Sequence, residues 1–271
     1  MIKDITLGQY FPGSSVLHRL DPRMKIVLLI IYITALFLTH SALSYFFMAL
    51  VTLSLILLSR VPFKLYIKGL KPLFVIILFT AVLNMFYSSG NLICEWWIFR
   101  ITDEGIANAL RMILRIMLLV ISSSVLTYTT SPLMLTGGLE RLLSPLKVIK
   151  VPVHEFSMMM TIALRFIPTL MEETDKIMSA QKARGVDFEE KGIVKKAKAV
   201  IPVIIPLFVS SFRRADELAV AMQCRCYSGD NKNRTRLIQY NLSAKDYISL
   251  VVVCCITVGS VLLNYVLIFG F

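Results

Sequence analysis

Hydrophobic residues in this chain gather into long unbroken runs separated by polar or charged breaks. Runs near twenty residues are what crossing a ~30 Å hydrocarbon layer requires, and five spans can be drawn. The first covers residues 26–38, short by itself and extended by its flanks. The second covers 43–59, and the third 73–87, opened by Pro72 where proline suits a helix start. The fourth covers 106–128, and the fifth 247–271, with no charge after Asp246. Between the last two, residues 131–246 are too polar for further spans and too apolar for a loose loop. They are expected to form three long amphipathic helices, over 133–149, 153–182 and 193–227. Gly137, Gly138 and Pro145 are weak points in the first of these. Pro168 should kink or break the second, and Pro202 and Pro206 interrupt the third. The expected fold class is all-α: a polytopic membrane protein with about five transmembrane helices and a cytoplasmic domain of three long helices. Its expected divisions are 1–130 (four spans), 131–246 (the three helices) and 247–271 (the last span).

Composition supports a membrane protein. Hydrophobic residues make up 56% of the 271, and mean hydropathy is +0.72. The net charge of +12 would raise nucleic acid as a partner in a soluble chain, but no nucleic-acid-binding pattern accompanies it. Its distribution follows topology instead. Lys3, Arg19, Arg23 and Lys25 precede the first span, and the loop between the first and second spans holds no Lys or Arg. Arg60, Lys64, Lys68 and Lys71 follow the second. Arg100 stands against Glu95, Asp103 and Glu104 after the third. Residues 131–246 hold eighteen lysines and arginines, and the tail after the fifth span holds none. Retained cytoplasmic loops are rich in Lys and Arg. The N-terminus and the long helices are therefore expected inside a plasma or inner membrane and the C-terminus outside. Trp96 and Trp97 fall in an outer loop, where interfacial anchors belong.

The N-terminus does not resemble a cleaved signal peptide, because a polar stretch precedes the first apolar run. Five cysteines form no regular disulfide framework. Cys94 falls in an outer loop, and Cys254 and Cys255 read as packing residues. Arg111 and Arg115 share one face of the fourth span. A guanidinium at that depth faces protein, water or the interface. An interfacial helix start and a functional pair account for them equally well.

The second and third long helices end alike. Asp175, Ala180 and Arg184 have the same spacing as Asp216, Ala221 and Arg225. The endings read Ala183-Arg184-Gly185 and Cys224-Arg225-Cys226, each an arginine between two small residues. Small neighbours let another surface approach the guanidinium, whose planar fork suits carboxylates and carbonyls. Helix capping, with a cation at the C-terminus and then glycine, is the simpler reading of either site alone. Two matched sites weaken that reading, the more so because Cys226 is not glycine.

Two further stretches bear on identity: Gly8-Gln9-Tyr10-Phe11-Pro12-Gly13-Ser14-Ser15, and Leu17-His18-Arg19-Leu20-Asp21-Pro22-Arg23 with Lys25. With the paired arginine endings, in this order, the chain resembles the transmembrane T component (EcfT/CbiQ-like family) of energy-coupling factor (ECF) ABC-type transporters over essentially its whole length. Ala183-Arg184-Gly185 has the usual form of that family's motif. Cys224 and Cys226 depart from the alanine and glycine common in the second. The resemblance implies a subunit that joins two ABC-type ATPases to a small substrate-binding membrane (S) subunit capturing a vitamin or metal ion. Arg184 would enter a groove on one ATPase and Arg225 the other, and the apolar faces of the three helices would contact the S subunit.

The chain contains no G-x-x-x-x-G-K-[ST] phosphate loop and so does not supply the ATPase. No cofactor or metal ligand set is evident. His18, His40 and His154 lack partners at ligand spacing, which argues against an intramembrane enzyme. A self-sufficient permease would carry polar groups along a path. Asn84 is the most conspicuous polar side chain in the third span, and an interhelical hydrogen bond accounts for it equally well.

Overall fold

Capping chemistry marks where the helices begin. Ser15 accepts from the His18 amide at the start of α1 (Val16–Arg19). Asp21 accepts from the Arg23 amide at 2.9 Å, and Pro22 supplies a preset φ at the first turn of α2 (Pro22–Leu38). Thr102 accepts from the Gly105 amide at 3.1 Å to open α6 (Asp103–Thr129), whose first turn carries Asp103 and Glu104. The remaining helices are α3 (Ala42–Ser59), α4 (Phe63–Leu70), α5 (Phe74–Tyr87), α7 (Pro132–Leu142), α8 (Val153–Ala183), α9 (Ile193–Cys224) and α10 (Ala244–Ile268). These belong to a computed structural model that describes residues 10–87, 92–96, 99–188, 192–227, 229 and 242–268. The fold is all-α, with one short antiparallel hairpin, β1 (Leu92–Trp96) and β2 (Phe99–Thr102), before α6. Lys3, Gly8, Gln9 and Trp97 lie outside the described residues.

The chain divides into two compact units, one holding residues 8–141 with 240–271 and the other 142–239. In the first, α5 packs along α6, while α10 packs on α2 and α3. Tyr32, Ala35 and Leu36 of α2 meet Tyr45 and Met48 of α3 and Leu118 of α6. Ile56, Tyr66, Val125 and Tyr128 form a second cluster, with the Tyr66 and Tyr128 rings edge-on at 5.2 Å. Small hydroxyls lie buried among these contacts, including Ser44, Thr52, Ser59 and Ser260. Lipid tails are as apolar as leucine, so close approach and hydrogen bonds hold membrane helices together. Tyr66 and Ser59 share a 3.0 Å hydrogen bond, and Ser44 donates to the Ser260 carbonyl at 3.2 Å.

Polar knots close both ends of this bundle. At one end Asp246 of α10 accepts from the backbone amides of Asp21 (2.9 Å) and Ser243 (2.8 Å). Beside it, buried Lys25 donates to the Thr129 carbonyl (3.0 Å) and the Thr130 hydroxyl (3.1 Å). At the other end Asn264 of α10 accepts from the Ser41 amide (3.0 Å) and donates to the Leu38 carbonyl (3.2 Å). Arg115 donates to Tyr45 Oη (2.9 Å) and the Thr39 carbonyl (3.1 Å), and Arg111 reaches the His40 carbonyl. The two arginines therefore bind the α2–α3 turn, which favours their structural role.

Four stretches among the described residues are long and apolar enough to cross a membrane: Ala42–Ser59, Phe63–Met85, Asp103–Thr129 and Ala244–Asn264. The first expected span is present as α2, but its 17 residues rise only about 25 Å, short of a ~30 Å layer. Three local expectations are corrected. Asn84 donates to the Thr80 carbonyl of its own helix at 2.8 Å rather than to a neighbouring helix. Pro202 and Pro206 do not interrupt α9, and Pro168 does not break α8; each proline removes one donor from a ladder that continues on both sides. The expected helix over 133–149 ends at Leu142 and gives way to a 3₁₀ segment, Ser144–Ile149, with Pro145 in its first turn. Gly138 lies inside α7, at a close approach to α2 where an added Cβ would come within 2.9 Å of Pro22 Cβ.

Replacing Lys25 with methionine leaves the α6 C-terminal carbonyl without its donor and the buried Asp246 carboxylate without this neighbouring cation, while Asp21 keeps Arg23 at 3.1 Å. It is expected to cost about 3 kcal/mol or more, read as a lowered thermal midpoint in detergent.

Candidate functional site

Arg184 and Arg225 occupy the same position in the same motif. The Val186 amide donates to the Gln181 carbonyl (3.1 Å) and the Gly185 amide to Lys182 (3.0 Å). The Tyr227 amide donates to the Met222 carbonyl (3.0 Å) and the Cys226 amide to Gln223 (2.9 Å). Both endings are thus Schellman caps, with arginine as the C-cap and the next residue left-handed. Gly185 has φ +89° and Cys226 has φ +56°. The sequence reading took Cys226 as an argument against ordinary capping. The structure corrects that: the cysteine adopts the conformation glycine usually takes, at a steric cost of about 1–2 kcal/mol.

Both arginines are exposed, as are Ala183, Gly185, Cys224 and Cys226. Open space surrounds Gly185, where an added Cβ would meet nothing within 4 Å. No hydrogen bond or ion pair to either guanidinium is found among the described residues. Each helix end therefore offers an uncompensated planar cation with room around it, suited to a carboxylate- or carbonyl-rich partner.

One feature of this unit lay beyond the sequence reading. Glu173 of α8 accepts from the Ser210 hydroxyl of α9 and from Arg214 Nη2 at 2.7 Å. The Ser210 hydrogen bond, then Arg214, hold the Glu173 carboxyl below its ordinary range, with partial desolvation opposing them. Glu173 stands eleven residues before Arg184, and Arg214 eleven before Arg225. The two helices are clasped at equivalent points, each about 16 Å along its axis from its terminal arginine. Opposite charges at matching places in the two similar segments were the available signal.

An apolar stripe runs along α9. Ile201, Ile204, Ile205, Phe208 and Phe212 recur at helical spacing and are all exposed.

Comparison with known proteins places the chain in a family. Residues 13–237 match the CbiQ family model, described as cobalt transport protein. The chain belongs to the CbiQ family. Relatives within reach are each named energy-coupling factor transporter transmembrane protein EcfT. That of Clostridium kluyveri is 53% identical over 260 residues, covering 94% of this chain and 96% of the relative. That of Ruminiclostridium cellulolyticum is 48% identical, covering 98% and 99%. That of Bacillus subtilis is 44% identical, covering 91% and 93%. Membership in the CbiQ family makes the chain a transporter membrane component, a class distinct from enzymes.

Two predictions follow from the helix ends. Cys226→Gly relieves the left-handed strain and is expected to stabilise the 142–239 unit by about 1 kcal/mol, whereas Gly185→Val destabilises it by a similar amount or more; thermal unfolding of both variants checks the signs. The Glu173 carboxyl is lower in the folded state than in the unfolded chain, so its contribution is present at neutral pH and disappears as pH falls through the folded value. Glu173→Gln should therefore cost less than about 1 kcal/mol near pH 7 and lessen the loss of stability on acidification, measured by melts across the acid range.

Proposed function

We propose that this chain is the energy-coupling subunit of an ECF transporter, and that Arg184 and Arg225 dock two ABC-type ATPase subunits. The observation that carries this reading is the pair of matched helix ends. Two exposed arginines sit in identical caps at equal distances from one interhelical clasp, as a subunit gripping two similar partners would require. Each would enter an acidic or carbonyl-rich groove. Opening and closing of the ATPases would then shift the two helix ends, with α8 and α9 acting as levers joined at Glu173 and Arg214.

The apolar stripe on α9 supports a contact with a small substrate-binding membrane (S) subunit, because exposed apolar surface of this extent marks an interaction face. Motion of the helices beneath that subunit would reorient it in the bilayer and drive uptake of a vitamin or another micronutrient. The charge pattern supports an orientation with the N-terminus and the long helices in the cytoplasm and the C-terminus outside. On this reading the specificity pocket lies in the S subunit.

Co-purification with the partner ATPases tests the docking roles. Arg184→Ala combined with Arg225→Ala is expected to abolish assembly and ATP-driven uptake while leaving the helical content intact. Normal assembly and uptake in the double variant would overturn them.

A further inference from the structure

A deep apolar groove of about 1030 Å³ opens in the bundle among α1, α2, α3, α6 and α10. Its volume is at the upper end of the ~300–1,000 Å³ common for small-molecule sites. The walls are hydrocarbon, with Leu28 and Leu29 of α2, Leu55 of α3, Leu126 of α6, and Val252 and Ile256 of α10. Charge is confined to one end. The lining includes Arg19, Lys25, Arg60 and Lys245 and no acidic residue.

The ends of the helices explain that polarity. Arg19 closes α1, Arg60 follows the last residue of α3, and Lys245 lies in the first turn of α10. Lys25 is already committed to the α6 terminus. The other three side chains belong to exposed residues, and no hydrogen bond or ion pair to them is found among the described residues. Arg60 holds its place in a left-handed conformation, φ 55°, where glycine would be less strained.

The groove also has the depth of a lipid leaflet. From Lys245 to Ile256 the α10 wall rises about 16 Å, roughly half of a ~30 Å hydrocarbon layer. Its rim includes exposed apolar side chains, among them Leu57 (70% exposed) and Ile248 (62%), so the groove opens sideways onto the surface that faces acyl chains in a membrane. Apolar walls of leaflet depth beneath an unpaired cationic end match a phosphate headgroup above its acyl chains.

We propose that this groove binds an anionic phospholipid, its headgroup held by Arg19, Arg60 and Lys245 and an acyl chain lying along α10. The site is independent of the docking arginines. It selects by headgroup charge, since acyl chains alone do not distinguish one phospholipid from another.

The test is native mass spectrometry of the purified full-length chain, delipidated and then offered equal amounts of phosphatidylglycerol and phosphatidylcholine. The wild type is expected to retain one phosphatidylglycerol in preference to phosphatidylcholine. The variant Arg19→Gln, Arg60→Gln, Lys245→Gln is expected to lose that preference by about tenfold or more, with an unchanged circular dichroism spectrum. A matched variant, Lys64→Gln, Lys68→Gln, Lys71→Gln, removes three basic residues outside the lining and is expected to keep it. Retention without regard to headgroup, equal losses in the two triple variants, or exclusion of lipid from the groove by a protein partner in the assembled complex would overturn the proposal.

Discussion

The bundle depends on a buried cation and a buried carboxylate at one end, Lys25 and Asp246. Lys25 gives its ammonium protons to oxygens at the α6 C-terminus, while Asp246 takes the amide that opens α2 and one beside the start of α10. Three helix ends that would otherwise leave polar groups unsatisfied in an apolar medium are thereby joined. Breaking one partner strands the others, so the arrangement specifies which helices meet as well as holding them. The stretch Asp21-Pro22-Arg23 with Lys25 carries most of this chemistry. Its compactness in sequence reflects the fact that one turn of α2 both caps itself and meets two other helices.

The opposite end uses different groups for the same purpose. Asn264 and Arg115 satisfy the backbone of the α2–α3 turn, and Arg115 also lies within 6 Å of the Phe37 and Tyr45 rings (5.7 and 5.8 Å to their centroids). A guanidinium there has carbonyl, hydroxyl and aromatic partners together, which compensates for its loss of water. The middle of the bundle relies on small hydroxyls and tight packing. The large apolar groove interrupts that packing close to the Lys25–Asp246 knot.

In the unit of long helices the same economy appears. Identical Schellman caps present the two arginines, and one polar clasp registers α8 against α9. Glycine makes the first cap conformationally easy, and cysteine makes the second strained. Glycine would end this helix at lower cost, because it takes the left-handed conformation without a Cβ penalty.

Much of this protein was legible in the sequence by itself. Apolar runs marked the spans, since a hydrocarbon layer imposes a length that no soluble fold requires. The paired Arg184 and Arg225 endings were visible because helix termination is local, written within a few residues. The first span's shortness was legible too, whereas the route of the chain through Pro168, Pro202 and Pro206 and the αL geometry of Cys226 depended on their surroundings. Tertiary structure alone decided what Lys25, Asn84 and Arg115 bind, and that Glu173 meets Ser210 and Arg214. These partners are set by which helices pack together. Lys25 reaches a residue 104 positions away, and Asp21 one 225 positions away. No local pattern encodes such a pairing, because it arises only when whole helices have been brought into register.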